Sequence, residues 1–291
     1  MLLPELPLAA PEESDRTVQI RLGATPAAVS APLASDESYE ANDKEFLLRL
    51  PGVATYYVHD GTEIIVNRDA NAPELDVRSY LMGNLFAVIC HQRGLLPLHA
   101  SAIATSRGAV AFLGASGAGK SSIAAFLARR GHRFLADDIC LVDPAAPRDR
   151  RVLPTAPWLK LWDGTLDAMG ESKSELSRIF SDDEKYRYVL QQHDAPSRLT
   201  DLILLERAEE QAEASFEQLA PVHALHAVLD NTYQSWLVRA TGRTDRYFLR
   251  CAEALHGVRV TRMRRPWGFD AMAATLEALE GRLGLKAGET A

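Results

Sequence analysis

The sequence predicts an α/β protein in which a small β-rich subdomain precedes a larger domain of strands and helices. Strand-like and helix-like segments alternate after residue 96, as in proteins whose helices cover a sheet. An apolar run at residues 109–113 leads through a glycine-rich segment into a helical pattern. Upstream, residues 46–67 hold three short β-rich runs. The predicted domains are a mostly irregular extension (1–44), a β-rich subdomain with one helix (45–95) and a main domain (96–291).

Composition and charge argue against several classes of protein. With 291 residues, of which 47% are hydrophobic and 24% charged, the chain can bury the core of one large domain or two. A net charge of −7 argues against a broad surface for nucleic acid or anionic membrane, because such partners attract basic faces. The start lacks a basic segment, and no run of 18 apolar residues occurs. We expect a cytoplasmic protein, with Cys90, Cys140 and Cys251 as reduced, buried thiols.

The N-terminal third changes character at residue 45. Before it, pieces rich in Pro and Ala alternate with acidic polar ones, which favours loop, and only residues 17–22 have the pattern of a strand. After it, strands are predicted at residues 46–50, 54–59 and 63–67. Asp60-Gly61 between the last two predicts a tight hairpin. Residues 75–93 then carry apolar side chains at helical spacing, and Gly94 ends that helix.

Two apolar runs next predict an antiparallel hairpin. They are residues 96–104 and 109–113, and a turn centred near Ser106 would place His99 opposite Leu113. His99 could therefore approach the segment that follows. A lone histidine in an apolar strand is alternatively a core residue whose hydrogen bonds are satisfied.

A glycine-rich segment follows this hairpin. Its residues are Gly114, Ala115, Ser116, Gly117, Ala118, Gly119, Lys120 and Ser121, and they fit G-x-x-x-x-G-K-[ST], the phosphate-binding loop, at every fixed position. In such a loop the glycines let backbone N–H groups turn toward phosphate oxygens, the lysine reaches the outer phosphates, and the serine hydroxyl ligates magnesium. We interpret residues 114–122, ending at Ser122, as the site for ATP and Mg2+ of a kinase. A glycine-rich turn without a ligand is the alternative.

Two carboxylates follow the next predicted strand, residues 133–136. Adjacent strand residues point to opposite faces, so Asp137 and Asp138 are expected to differ in role, with one facing the phosphates. A carboxylate near Mg-ATP can hold the metal or accept a proton from an attacking hydroxyl. A turn-forming aspartate pair is the alternative.

Segments on both sides of the loop resemble the catalytic domain of HPr kinase/phosphorylase. They are Leu98-His99-Ala100-Ser101, residues 114–122, Arg130-Gly131-His132-Arg133 and Ala136-Asp137-Asp138. In that family a histidine stands 21 residues before the loop lysine and an aspartate pair begins 17 residues after it, as His99, Lys120 and Asp137 do here. The resemblance covers residues 98–142.

The resemblance implies a fold and a set of roles. The fold would be the phosphate-loop α/β core shared with phosphoenolpyruvate carboxykinase, rather than that of Ras-like GTPases. His99 would lie near the transferred phosphate, and Lys120 would bind the phosphates. Ser121 would hold magnesium, while Asp137 would be the general base toward a serine hydroxyl. With Asp137 in that role, we expect Asp138 to be the carboxylate that holds the metal.

Two departures narrow the resemblance. The second signature of the family has no recognisable copy, and the N-terminal subdomain differs from the usual regulatory domain. The chain looks closer to HPr-kinase-related proteins that accompany peptide maturation, including lasso-peptide tailoring kinases. That branch implies a serine on a peptide or small protein as the acceptor.

The remaining sequence is less informative. Residues 184–189 alternate, so Lys185 and Arg187 would share one strand face and could contact substrate or phosphate, with a solvated face as the alternative. Further strands are predicted at residues 199–205 and 258–263, and helices at 222–229, 247–255 and 269–283.

Aromatic and basic residues in this part receive structural interpretations. Trp158 and Trp162, four residues apart, are interpreted as core packing, with contact to a substrate peptide as the alternative. Arg262, Arg264 and Arg265 are interpreted as surface charge.

Three functions fit these observations. The leading one is a kinase that moves the γ-phosphate of ATP to a serine of an HPr-like protein or a ribosomally made peptide precursor. The others are a small-molecule hydroxyl kinase and a nucleotide-binding regulatory module with little transfer. The acceptor, the nucleotide preference, reverse phosphorolysis and a possible homo-oligomeric state stay open at this point.

Overall fold

The computed structural model describes residues 3, 4, 6, 17–143, 150–208 and 213–285, which form a mixed α/β protein with several sheets. The strands are β1 (Gln19–Leu22), β2 (Ala34–Ser35), β3 (Tyr39–Ala41), β4 (Glu45–Leu50), β5 (Ala54–His59), β6 (Glu63–Arg68), β7 (Leu96–Leu98), β8 (Ser101–Thr105), β9 (Gly108–Leu113), β10 (Arg133–Ala136), β11 (Cys140–Asp143), β12 (Arg151–Leu153), β13 (Trp158–Trp162), β14 (Lys185–Val189), β15 (Ser197–Arg207), β16 (Ser215–Gln218) and β17 (Arg259–Arg265). The helices are α1 (Glu74–Tyr80), α2 (Phe86–Gln92), α3 (Lys120–Arg129), α4 (Asp163–Met169), α5 (Pro221–Asp230), α6 (Trp236–Ala240), α7 (Thr244–Ala254) and α8 (Met272–Leu283), and a π-helical turn (Leu81–Leu85) joins α1 to α2.

The N-terminal sheet has six strands in the order β1-β6-β5-β4-β3-β2. Asp60 and Gly61 have φ values of 52° and 65°, which confirms the predicted hairpin because a two-residue turn of this kind needs positive φ at both positions. The strand predicted at residues 17–22 is present as β1, whereas the irregular structure predicted for the rest of the segment before residue 45 is corrected in part, since β2 and β3 also belong to this sheet. The carboxylate of Asp36 accepts hydrogen bonds from the backbone N–H groups of Ser38 and Tyr39, and this turn aligns β2 with β3 despite their polar sequence. Residues 1, 2, 5 and 7–16 of the predicted extension lie outside the described residues.

The helix predicted at residues 75–93 is present, but it contains the π-helical turn. Its buried face, which includes Val77, Leu85 and Val88, packs on the N-terminal sheet. Gly94 has a φ of 71° just past the end of α2, as predicted for a left-handed C-terminal glycine.

The second sheet supplies the centre of the main domain. Its strands run in the order β10-β8-β9-β15-β12-β11-β7, and β17 pairs with both β15 and β16. β9, β15 and β17 are parallel neighbours, so their carboxyl ends share one edge. Alternate residues of β9 pack on opposite faces: Ala109 and Leu113 contact the core beneath α5 and α7, whereas Val110 and Phe112 contact the core beneath α3 and α8.

The predicted hairpin before the loop is shorter than expected. β8 pairs with β9 from Ser101 opposite Phe112 to Thr105 opposite Gly108. The continuous strand predicted over residues 96–104 is wrong, because β7 pairs with β11 and the chain turns at His99. The backbone N–H of His99 donates to the carbonyl oxygen of Asn231 (2.7 Å) instead of joining the hairpin.

A two-stranded ribbon covers one end of this sheet. β13 and β14 are antiparallel, with Lys160 opposite Arg187 and Trp162 opposite Lys185. Leu159 and Leu161 of β13 are buried in the core beneath α3 and α8.

The structure also bears on the thiols and on membrane insertion. The three cysteines are free and buried, which confirms the prediction. Among the helices of residues 17–143, 150–208 and 213–285, none is long and apolar enough to cross a membrane.

Candidate active site

The glycine-rich loop connects β9 to α3, as the motif predicts. The backbone N–H of Gly114 donates to the side-chain oxygen of Asn231 (2.8 Å), which fixes the loop entrance. Gly119, at the start of α3, has a φ of 88°, and a Cβ atom there would collide with the guanidinium of Arg265. Only glycine fits this position without strain.

The side chain of Lys120 is buried against the loop. Its Nζ donates to the carbonyl oxygens of Gly114 (2.8 Å) and Ala115 (3.1 Å). Burial lowers the pKa of this ammonium, although the nearby carboxylates of Asp137 and Asp138 oppose that shift. Lys120 is therefore a desolvated cation held beside two anions.

Asp137 is the carboxylate closest to the loop. Its Oδ1 accepts hydrogen bonds from the hydroxyls of Ser101 (2.5 Å) and Ser121 (2.8 Å), and its Oδ2 accepts one from the backbone N–H of Lys160 (2.8 Å). Burial raises the pKa of Asp137 above the usual aspartate range, and these hydrogen bonds only partly offset it. A carboxylate with a raised pKa is a better proton acceptor.

Asp138 lies at the same place but in a different electrostatic environment. Its Oδ2 accepts from Lys160 Nζ (2.6 Å) and from the hydroxyl of Tyr233 (3.3 Å). Burial acts to raise the pKa of Asp138, but the charge and hydrogen bond of Lys160 outweigh it and hold that pKa below its usual range.

The predicted alternation of the two aspartates is wrong. β10 ends at Ala136, and Asp138 has a left-handed φ of 65°. The backbone N–H of Ile139 donates to the carbonyl oxygen of Asp137 (2.8 Å), so the pair lies in a tight turn. Both carboxylates consequently line the same cavity.

His99 lies beside this turn. Its Nε2 is 3.7 Å from Asp138 Oδ1, and its ring meets the ring of Tyr233 edge-on at 5.8 Å. Burial lowers the pKa of His99, and the charge of Lys120 adds to that shift, so the neutral imidazole is favoured at neutral pH. The predicted proximity of His99 to the loop is observed, although the chain turn rather than the hairpin register produces it.

These residues surround a cavity of about 250 Å3, called the loop cavity here. It is lined by His99, Ser116, Gly117, Gly119, Lys120, Ser121, Ser122, Asp137, Asp138, Lys160, Leu161, Trp162, Gly164, Thr165, Lys185, Arg265, Trp267, Gly268, Phe269 and Met272. Four of them are cationic and two are carboxylates, so positive charge is in excess where the loop and the start of α3 meet.

Some predicted site residues take other places. Lys185 lines the loop cavity, with its Nζ 4.7 Å from the ring of Trp162. Arg187 does not: it is buried, donates to the hydroxyl of Ser79 (3.2 Å) and lies over the ring of Trp158. Lys185 and Arg187 do share one face of β14, as predicted, but only Lys185 reaches the cavity, whereas Arg187 lies in the protein interior. Ala115 and Ala118 contribute carbonyl oxygens, to Lys120 and Arg265 respectively.

Sequence reasoning missed several cavity residues, among them Arg265, Trp162 and Lys160. The prediction of surface charge is wrong for Arg265, which is 4% exposed and donates to the carbonyl oxygen of Ala118 (3.0 Å). The prediction of core packing is wrong for Trp162, which is 48% exposed at the cavity. No sequence motif singles out Lys160. The period-two pattern of residues 158–162, in which leucines alternate with Trp and Lys, could have placed Lys160 and Trp162 on one exposed strand face.

Ser121 and Asp137 offer a hydroxyl and a carboxylate oxygen at one place, and such ligands suit a magnesium ion. Mg2+ is usually held by one or two protein oxygens together with phosphates and water, rather than by a complete protein cage. Within the described ranges, no cluster of three or more His, Cys, Asp or Glu side chains forms such a cage. Of the predicted metal ligands, Ser121 donates to Asp137, and Asp138 lines the same cavity.

A second cavity, of about 320 Å3, adjoins the loop cavity and is called the apolar cavity here. Asp137, Asp138 and Lys160 line both. The rest of its lining is predominantly apolar and comes from Leu6, Val18, the π-helical turn, residues 86–95, residues 139–141 and residues 154–158.

Comparisons with known proteins find a distant likeness among solved structures. No family model and no curated protein sequence matches the chain. Among solved structures, the fold is similar to that of the Hpr(Ser) kinase/phosphatase from Coxiella burnetii, with 12% identity and a TM-score of 0.34, over 65% of this chain and 97% of that one. A TM-score this low marks a likeness too distant to transfer an activity or a site residue.

Proposed function

We propose that the chain is an ATP-dependent kinase that transfers a γ-phosphoryl group to the serine hydroxyl of a peptide or small protein. One observation supports this most strongly: the phosphate-loop residues, four cationic side chains and two adjacent carboxylates line one cavity. Phosphoryl transfer needs few groups beyond these, because its catalysis consists mainly of positioning and charge stabilisation.

The cations would bind the nucleotide. Lys120 would exchange its hydrogen bonds to loop carbonyls for the outer phosphates, and Arg265 lies at the start of α3, where it could bind another phosphate oxygen. Trp162 and Trp267 present aromatic surface at the same cavity, which suits stacking of a nucleotide base.

The carboxylates would serve the acceptor. The serine oxygen forms a bond to the γ-phosphorus, and the bond from that phosphorus to the bridging oxygen breaks, with ADP keeping the electron pair. Asp137 takes the serine proton, because its raised pKa makes it the stronger proton acceptor of the pair. Asp138, held ionised by Lys160, and the neutral His99 would position the reacting groups.

Magnesium fits the same donor set. Ser121, with a carboxylate oxygen of Asp137 or Asp138, would hold the ion, which when bound neutralises phosphate charge. The two aspartates are distinguished by their different partners, and separate substitutions can assign their roles.

A transfer assay with a loop variant tests the proposal. The protein is incubated with magnesium and ATP labelled at the γ-phosphate, together with serine peptides or with small alcohols, and label is followed into the acceptor, into water or into neither. Lys120→Ala should lower transfer by roughly a thousandfold and weaken nucleotide binding, because it removes the ammonium that would neutralise the outer phosphates.

Lys173→Ala is the matched control, since Lys173 forms ion pairs with Asp163 and Asp167 and does not line the loop cavity. Wild-type transfer by Lys120→Ala would exclude the proposed site. Label found only on small alcohols would indicate a small-molecule kinase, and nucleotide binding without transfer would indicate a regulatory module.

A further inference from the structure

The apolar cavity has a lining that suits a hydrophobic group. Its walls include Met82, Phe86, Ile139, Leu141, Ala156 and Trp158. Met82 and Trp158 are themselves buried in one small hydrophobic cluster with Ile179. Burial of an apolar group against such walls is favourable in proportion to the area removed from water.

Two polar atoms of the lining residues remain without partners. The hydroxyl of Thr155 and the indole N–H of Trp158 are buried and make no hydrogen bond within the described part of the chain. Buried polar atoms usually have a partner, so these two are available to a bound molecule after a small side-chain shift. A peptide offers carbonyl and N–H groups for both.

The position of the cavity identifies what it can hold. Asp137, Asp138 and Lys160 form the wall common to both cavities. A hydroxyl at Asp137 would face the loop cavity on one side, while the atoms attached to it would extend into the apolar cavity on the other. The apolar cavity is therefore positioned to bind the part of an acceptor molecule that adjoins its reacting hydroxyl group.

A residue of the chain itself illustrates the chemistry that fits. Leu6 lies outside any helix or strand, yet it lines the apolar cavity and packs against the cluster of Met82 and Trp158. A leucine side chain outside regular secondary structure is thus accommodated at this surface. This favours a peptide over a small alcohol as the occupant.

We propose that the apolar cavity binds a large apolar side chain directly adjacent to the serine that receives the phosphate. The proposal rests on the proposed kinase function and narrows its acceptors to peptides with such a neighbour. A cavity of about 320 Å3 lies at the lower end of ligand-site volumes, which fits one large side chain and its flanking backbone.

Matched peptides test this proposal through both binding and transfer. One short, end-blocked peptide has serine flanked by leucine, and its partner has serine flanked by aspartate. A second pair carries alanine in place of serine, so that binding can be measured by fluorescence anisotropy without any transfer. The wild-type protein should bind and phosphorylate the leucine peptide at least about tenfold better than the aspartate peptide.

Two variants of the cavity should remove that preference. Ala156→Leu fills the cavity, and Met82→Gln makes its wall polar with little change in volume. Ala252→Leu is the control, because it adds the same side chain at an exposed position of α7. Melting temperatures and Mg-ATP affinity identify any variant that misfolds or damages the loop cavity.

The outcomes separate this proposal from the kinase assignment. Preference for the leucine peptide that either folded cavity variant abolishes, with Mg-ATP affinity unchanged, supports the proposal. Binding of the leucine peptide without phosphorylation would contradict the kinase assignment alone. Phosphorylation without preference, failure to bind either peptide, a preference that survives in both variants, or transfer only to small aliphatic alcohols would overturn the apolar-cavity proposal.

Discussion

The loop cavity and the apolar cavity differ in chemistry although they share a wall. The loop cavity carries four cationic side chains around the start of α3, whereas the apolar cavity is lined chiefly by aliphatic and aromatic groups. Charged groups orient a ligand and select it by the sign of its charge, whereas apolar walls select a ligand by its size. Under the proposed function, the loop cavity would bind the charged phosphate donor and the apolar cavity would bind a side chain of the acceptor.

The two cavities also differ in where their residues lie along the chain. Much of the loop cavity comes from residues 116–138, so a local motif reveals it. The apolar cavity combines Leu6 and Val18 with residues 82–95 and 137–160, and the apolar residues among them resemble any core residue in sequence. A motif can therefore locate a reaction while leaving its acceptor undefined.

The largest expected effect comes from the wall that the cavities share. Asp137→Asn should slow single-turnover transfer by roughly two to four orders of magnitude, because an amide cannot take the serine proton. The nearly isosteric change should leave Mg-ATP affinity and peptide binding nearly unchanged. Rapid-quench kinetics at saturating Mg-ATP, with anisotropy for both ligands, measure these effects.

Asp138→Asn is the comparison for that experiment. Since Asp138 is held ionised by Lys160, its variant should mainly alter the magnesium dependence or the stability, with a smaller effect on the chemical step. The reverse ranking would make Asp138 the base and leave Asp137 to the magnesium ion beside Ser121.

A substitution with a smaller effect should change ligand binding in the loop cavity without changing it in the apolar cavity. Gly119→Ala places a Cβ atom against Arg265 at a left-handed φ of 88°, so Mg-ATP affinity should fall by about tenfold while peptide binding is unchanged. Isothermal titration of each ligand provides the measurement. Gly257→Ala imposes a similar strain at a φ of 74° in open space, and it should affect neither ligand. Equal loss of both ligands in Gly119→Ala would show that the cavities are not independent.

The smallest effect on transfer is expected for a substitution at Glu280, which lines neither cavity. Glu280 on α8 accepts hydrogen bonds from Arg130 (2.7 Å) and His132 (3.0 Å), which follow α3. Glu280→Gln should lower the free energy of unfolding by about 2 kcal/mol at pH 7. Transfer at pH 7 should change by less than about twofold, because none of the three lines either cavity.

The pH dependence of that stability has a definite sign. Burial acts to raise the pKa of Glu280, but Arg130 and His132 outweigh it and hold the pKa below its ordinary value. The stabilisation is therefore present above the ordinary pKa of about 4.3 and is lost as the pH falls through the folded-state pKa. Urea unfolding across pH 3 to 7 should show the difference from wild type shrinking toward the acid end, with exposed Glu277→Gln as the control. A constant difference across that range would contradict the assignment.

Local signals predicted the parts of the fold that depend on neighbouring residues. Asp60 and Gly61 specify their own turn, and the loop motif specifies a strand before it and a helix after it. The short strands β2 and β3 were missed because their hydrogen bonds to neighbouring strands, rather than their side-chain pattern, make them strands. The intrinsic β propensity of a segment has little influence when pairing with the edge of an existing sheet determines its conformation.

The candidate site shows the same limit. Lys120 and Ser121 could be identified from spacing, and His99 and the aspartates from spacing together with the family resemblance. Arg265 could not, because the parallel pairing of β17 with β15 carries it from a distant segment to the loop. Nor could the shared direction of Asp137 and Asp138, since the left-handed turn at Asp138 leaves no clear mark in the sequence.

The π-helical turn lets one wall of the apolar cavity tolerate a change in chain length. A π-helical turn holds about one residue more than an α-helical turn, so it takes up an extra residue locally while the helix on either side keeps its phase. Removing one residue from Leu81–Leu85 would therefore restore a regular α-helix without rotating α2 against α1. Phe86, Ile89 and Cys90 would keep facing the cavity. An insertion or deletion of one codon at this turn would thus leave the apolar wall in place.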